Sequence, residues 1–128
     1  MESLAQETER LASVVVDAGL TVHRELGPGL LESVYEQCLA YELAERGIRF
    51  QRQVPLPVAY KGVVLDAGYR LDIVVEDAII LEIKSVEAFS RLFEAQVLTY
   101  LRLSQVRLAF LMNFNVPLFK EGLRRYVR

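Results

Sequence analysis

The sequence predicts a mixed α/β chain of the α+β kind, and three observations predict it. Two N-terminal segments repeat apolar residues at helical spacing. The middle of the chain alternates at period two, and a further helical segment separates two β-rich runs. The order reads ααβββαβ with a weaker strand at the end, so the last full strand is reached by a helical crossover. With 128 residues, 52% of them hydrophobic and 25% charged, the chain suits one domain over residues 1–128 with a sizeable core.

The first helix is expected over about Glu7 to Leu26, where Leu11, Val14, Val15, Ala18, Val22 and Leu26 recur on one face. Gly27-Pro28-Gly29 stops it, because proline cannot continue a helix and glycine permits a tight reversal. A second helix follows over about Leu31 to Arg46. Its stripe is Leu31, Val34, Tyr35, Cys38, Leu39 and Leu43, and Gly47 is placed to end it. Ile48 to Tyr60 reads as extended, with Pro55 and Pro57 suggesting an edge strand or a bulge. Lys61-Gly62 is a turn. Val63 to Leu65 and Tyr69 to Val75 read as strand, Glu76-Asp77-Ala78 as a turn and Ile79 to Lys84 as strand. The third helix covers about Ala88 to Leu103, with an apolar face of Phe89, Leu92, Phe93, Val97, Tyr100, Leu101 and Leu103. Val106 to Asn113 is a β-rich run, and Leu123 to Val127 is the weaker strand.

Composition removes several chemistries. One cysteine, Cys38, allows no internal disulfide and no cysteine-rich zinc site. One histidine, His23, allows no multi-histidine metal centre and speaks against a Ser-His-Asp triad. Carboxylates must therefore do most of the work at any metal centre. The formal net charge of -2 is no footprint of bulk nucleic-acid affinity, although a local basic groove is compatible with it. Phe119 to Arg128 holds Lys120, Arg124, Arg125 and Arg128 against Glu121, a modest basic excess at the C-terminus. Met1 to Arg10 is polar and acid-rich, unlike a secretory leader, and no apolar run approaches the ~20 residues of a membrane helix. A cytoplasmic location is expected.

Chemistry concentrates between Tyr69 and Lys84. Alternation puts Arg70, Asp72 and Val74 on one face of their strand, and Ile80, Glu82 and Lys84 on one face of the next. If a three-residue turn at Glu76 to Ala78 closes the hairpin, Asp72 lies directly opposite Glu82. Their Cβ atoms are then ~4.5–5.5 Å apart. Two facing carboxylates repel unless a cation or a proton sits between them. Two acids and a lysine are what metal-assisted phosphodiester hydrolysis needs: hard oxygens for Mg²⁺ and an amine beside the attacking water. The competing reading is a wet outer face of a surface hairpin.

Two helical residues bear on that choice. Gln96 falls near the middle of the third helix's apolar stripe, one turn before Tyr100, where a buried amide needs a polar partner or the backbone carbonyls. Glu32 falls at the edge of the second helix's stripe, either aimed into the site or simply favoured by the helix dipole. Arg70 could bind phosphate or pair with a carboxylate. Tyr35 and Cys38 read as core, and His23 as a packing or hydrogen-bonding residue.

Gly29-Leu-Leu-Glu32-Ser-Val-Tyr35 resembles the motif of the GxxExxY family. Asp72 followed by Glu82-Ile-Lys84 resembles the Asp…Glu-x-Lys signature of the PD-(D/E)xK nuclease-like superfamily, and Gln96-Val-Leu-Thr-Tyr100 its Gln-x-x-x-Tyr. Val22-His-Arg-Glu-Leu-Gly-Pro-Gly29, Gln53-Val-Pro-Leu, Tyr60-Lys-Gly and Asn113-Phe-Asn are also similar, so the likeness covers nearly the whole chain. One departure is Leu71, where the superfamily often has proline before the aspartate.

The resemblance implies a restriction-endonuclease-like fold, a central mixed sheet flanked by helices. It implies Asp72, Glu82 and Glu32 as metal ligands for Mg²⁺ or Mn²⁺, Lys84 as the catalytic lysine, and Gln96 and Tyr100 as substrate-side groups. The activity implied is hydrolysis of nucleic acid, DNA ahead of RNA. The competing class is a non-catalytic nucleic-acid-binding or protein-assembly module that retains the fold, which the near-neutral-to-acidic charge favours. A homodimer is a further expectation.

Overall fold

A computed structural model describes residues 4–128; residues 1–3, the first of the Met1–Arg10 stretch, lie outside the described residues. Gln6–Leu26 forms α1 and Glu32–Glu45 forms α2. The strands β1 (Phe50–Pro55), β2 (Val58–Tyr60), β3 (Val63–Leu65), β4 (Arg70–Val75) and β5 (Ile79–Lys84) follow. Then come α3 (Arg91–Ser104), β6 (Leu108–Asn113), a 3₁₀ turn (Phe119–Gly122) and β7 (Leu123–Val127).

Five strands make one sheet in the order β1-β4-β5-β6-β7. Only β5 and β6 run parallel, joined by the helical crossover through α3; the other neighbours are antiparallel. The central strands are apolar on both faces because both are covered. Ile73, Val75, Ile79, Leu81, Ile83 and Met112 pack against α1 and α2. Val74, Ile80, Ala109 and Leu111 pack beneath α3, against Val97 and Leu101. This mixed sheet flanked by helices is the restriction-endonuclease-like architecture that the resemblance implies.

Four details differ from the sequence reading. The extended segment 48–60 is two strands: the β1 to β4 pairing ends at Pro55 and Arg70, and the Leu56 N–H reaches the Tyr69 carbonyl at 3.0 Å. Proline at 57 has no N–H to continue a ladder, and β2 and β3 pair only with each other. The second helix starts at Glu32, leaving Leu31 exposed before it. The third helix starts at Arg91, where the Ser90 hydroxyl accepts the Phe93 N–H at 3.3 Å and sets the boundary. Leu92 then falls on the solvent side, 62% exposed.

Leu71 also leaves the alternation, joining Leu56 in the core beneath α3 rather than Ile73 on the other face. It lies beside the one break in the β1 to β4 ladder, where Gln53 has φ +52° and no pair is made with Asp72.

Candidate functional site

The acidic hairpin is built by its turn. Glu76 and Asp77 both adopt left-handed conformations, with φ +52° and +55°, and the Ala78 N–H closes onto the Val75 carbonyl at 2.8 Å. Primed geometry of this kind suits the twist of antiparallel strands. The register runs Val75↔Ile79, Val74↔Ile80 and Ile73↔Leu81. One more step puts Asp72 against Glu82, as the three-residue turn requires. Here the ladder opens, and Asp72 Oδ2 takes the Ile83 N–H at 2.8 Å.

Glu82 lies on the α3 side, 5% exposed, and its Oε1 is buried with no hydrogen-bond partner. Its carboxyl is pushed up to about 9, first by burial and then by the Asp72 charge and side-chain contact. The Asp72 amide and the Lys84 charge pull the other way. Metal-free, this carboxyl is protonated at neutral pH. Lys84 is half-buried, its ammonium 4.5 Å from the centroid of the Phe93 ring on α3. That contact holds the amine on the same side of the sheet as Glu82.

Tyr100 borders the pair. Its phenol is raised above the ordinary range, first by burial and then by Glu82, Tyr69 and Asp72. The Tyr69 ring lies 6.2 Å from the Tyr100 ring. Gln96, one turn earlier on α3, is half-buried and makes no hydrogen bond among the described residues. It lies at the rim, where water relieves the cost that a central position would carry. Arg70 opens β4, exposed and paired with no carboxylate among the described residues.

Glu32 stands apart. It is the first residue of α2, exposed, and its Oε2 accepts the Ser85 N–H at 3.2 Å. The Ser85 hydroxyl donates to the Leu30 carbonyl at 2.6 Å. Glu32 therefore meets the chain one residue after Lys84. Among the described residues, no group of three His, Cys, Asp or Glu side chains is gathered for a metal. The structure brings together Asp72, Glu82, Lys84 and Tyr100; Gln96 lies one turn before Tyr100 on α3, and Arg70 two residues before Asp72 on β4.

Three supporting residues went unnoticed or unassigned in the sequence. Tyr35, fully buried, donates to the Gly27 carbonyl at 2.6 Å, accepts the Leu30 N–H at 3.1 Å and stacks on Phe114 at 4.6 Å. It thereby ties the glycine loop before Glu32 to the segment after β6. Asn113 is buried at the end of β6. Its Oδ1 accepts the N–H groups of Val86 and Asn115, both at 3.1 Å, and its Nδ2 donates to the Val86 carbonyl at 2.9 Å. It clamps the chain that follows Lys84. Glu36 is buried on α2 and takes Arg52 Nε at 2.9 Å and Gln53 Nε2 at 2.8 Å. A charge one turn after Glu32, inside an apolar stripe, was the available signal. His23 takes the hydrogen-bonding role, its Nε2 2.7 Å from the Val116 carbonyl oxygen.

A buried glutamate beside a half-buried aspartate on neighbouring strands of a mixed sheet, with a lysine two residues on, defines the class. Residues 9–126 match the family model of the PD-(D/E)XK nuclease superfamily, and the chain belongs to that superfamily. Its members are in the main nucleases that use divalent metals. No curated protein and no solved structure matches the chain significantly. No helix among the described residues is long and apolar enough to cross a membrane.

Proposed function

We propose that this chain is a GxxExxY-type, cytoplasmic nuclease that hydrolyses DNA in preference to RNA, with Mg²⁺ or Mn²⁺ held by Asp72 and Glu82. The observation that carries this reading is Glu82 Oε1, buried and unpartnered beside a second carboxylate. Buried polar atoms in native proteins are nearly always satisfied, and a divalent cation supplies the missing partner while removing the repulsion. Two carboxylates fit Mg²⁺, which keeps several waters and takes phosphate oxygen as a further ligand. When bound, the ion acts as a Lewis acid at the phosphate and lowers the pKa of a coordinated water.

The chain's own groups do the rest. Asp72 is oriented by the Ile83 N–H. Lys84, carried on the Phe93 face, directs the attacking water and balances charge on the phosphate. Tyr100 and Gln96 hold the substrate from α3, and Arg70 meets a neighbouring phosphate. Glu32 fixes the backbone after Lys84 through Ser85 rather than acting as a third ligand. A second copy of the chain would widen the surface for nucleic acid, and sedimentation velocity reads whether the chain dimerises.

Cleavage of single- and double-stranded DNA and RNA with Mg²⁺ or Mn²⁺ tests the proposal. Lys84→Ala is expected to lose at least about 100-fold in rate; equal activity in the variant and wild type would assign the cleavage to a contaminant. The non-catalytic module is favoured by the absence of a third gathered ligand among the described residues. It gains if calorimetry finds no Mn²⁺ binding that Asp72→Ala abolishes.

A further inference from the structure

The β2–β3 excursion is the largest feature that the acidic pair leaves unused. It departs from the sheet between Leu56 and Tyr69, whose backbones bond at 3.0 Å. Leu56 is buried in the core beneath α3, so the base of the excursion is anchored on the side where Glu82 lies. Beyond that base Val58 is half-buried and the rest of both strands is exposed. Val63, Val64 and Leu65 are 57%, 71% and 46% exposed in succession, although a strand with one buried face hides every second residue. Tyr60 at the tip is 55% exposed and Tyr69 at the base 44%.

Cations accompany these rings. The Lys61 ammonium lies 5.4 Å from the centroid of the Tyr60 ring, and Arg70 directly follows Tyr69. Neither has a carboxylate partner among the described residues. The nearby acid, Asp66, is turned onto the Gly68 N–H at 3.2 Å. Tyr69 joins this surface to the site, because its ring meets Tyr100, whose phenol feels Glu82 and Asp72.

Charge and shape select the occupant. A duplex hides its base faces and is gripped through many phosphates, a demand that a chain of net charge -2 meets poorly. A single strand offers bare base faces for aromatic stacking, with cations tracking its backbone. We propose that the excursion from residue 57 to 68, with Tyr69, is a base-stacking subsite, and that the nucleic acid it delivers to the acidic pair is single-stranded. As a statement about substrate, this rests on the nuclease reading.

Fluorescence anisotropy in EDTA tests it without cleavage. The probes are a labelled oligothymidine of about twelve nucleotides, a blunt duplex of equal length, and an abasic phosphodiester strand of equal charge. Oligothymidine is expected to bind about tenfold more tightly than either of the others. Tyr69→Ala is expected to remove about tenfold for oligothymidine and nothing for the abasic strand, while Tyr69→Phe keeps the affinity. Equal affinity for the abasic strand, duplex affinity at or above that of the single strand, or an unchanged Tyr69→Ala would overturn the proposal. So would a wild-type dimer that Val64→Lys dissociates, since the hairpin would then be covered by a second copy. Loss of the nuclease reading registers separately, as absent Mn²⁺ binding and cleavage with strand binding intact.

Discussion

Among the described residues two glutamates are buried, and they are buried differently. Glu36 sits between α2 and β1 with each carboxylate oxygen engaged, one by Arg52 and one by Gln53. Glu82 sits between β5 and α3 with Asp72 at its side and one oxygen bare. Burial alone is common to a structural clamp and a reactive centre. What separates them is whether the fold supplies donors of its own. At Glu36 it does, and the charge joins two elements. At Glu82 it supplies a second acid instead, which makes sense only with a cation or a proton to share.

The largest expected separation is in metal response. Glu82→Gln should abolish Mn²⁺ binding by calorimetry and yet raise the metal-free melting temperature at pH 8. The stability gain should be on the order of 1–3 kcal/mol, because an amide needs no proton on folding whereas the buried carboxyl must take one up at this pH. Glu36→Gln should leave Mn²⁺ binding within about twofold of wild type and lower stability by roughly 1–2 kcal/mol. If the two substitutions have the same signature, the contrast is wrong.

Acidity sharpens the same point. The Glu82 carboxyl is pushed up to about 9 in the folded chain, from the ordinary carboxylate value of 4.5 when unfolded. Between those values the native state holds the extra proton, so its metal-free stability should fall as pH rises from about 4.5 to 9. Saturating Mg²⁺ should flatten that slope, and Glu82→Gln should remove its main source. Denaturation in urea across this range, with and without metal, measures it.

Smaller effects belong to the scaffold. Tyr35→Phe removes the hydroxyl that bridges Gly27 and Leu30 and should cost about 1 kcal/mol, read in the urea midpoint. Phe93→Leu keeps an apolar side chain but removes the ring beneath the Lys84 ammonium. It should slow cleavage by a few-fold, with a melting temperature close to wild type.

Much of this arrangement was legible in the residues. The hairpin register from Val75↔Ile79 to Ile73↔Leu81 follows from a three-residue turn and a period of two, which already brings Asp72 up to Glu82. The two N-terminal helices announced themselves by apolar spacing. Misreadings came where one residue decides against a pattern. Ser90 capped α3 late and turned Leu92 to water, and Pro57 divided an extended run into two strands in different sheets. Gln96 looked central to its stripe because a helical wheel says nothing about where the neighbouring sheet ends.

Local spacing, then, determined the order of elements, the facing acids and the lysine beside them, because periods of 2.0 and 3.6 act over a few residues. Tertiary structure alone decided that Glu32 meets Ser85, that Asn113 clamps Val86, that Glu36 finds Arg52 and Gln53, and that Tyr69 reaches Tyr100. These contacts join residues far apart along the chain. Their partners are chosen by how sheet and helices stack, which no periodicity in a single sequence encodes.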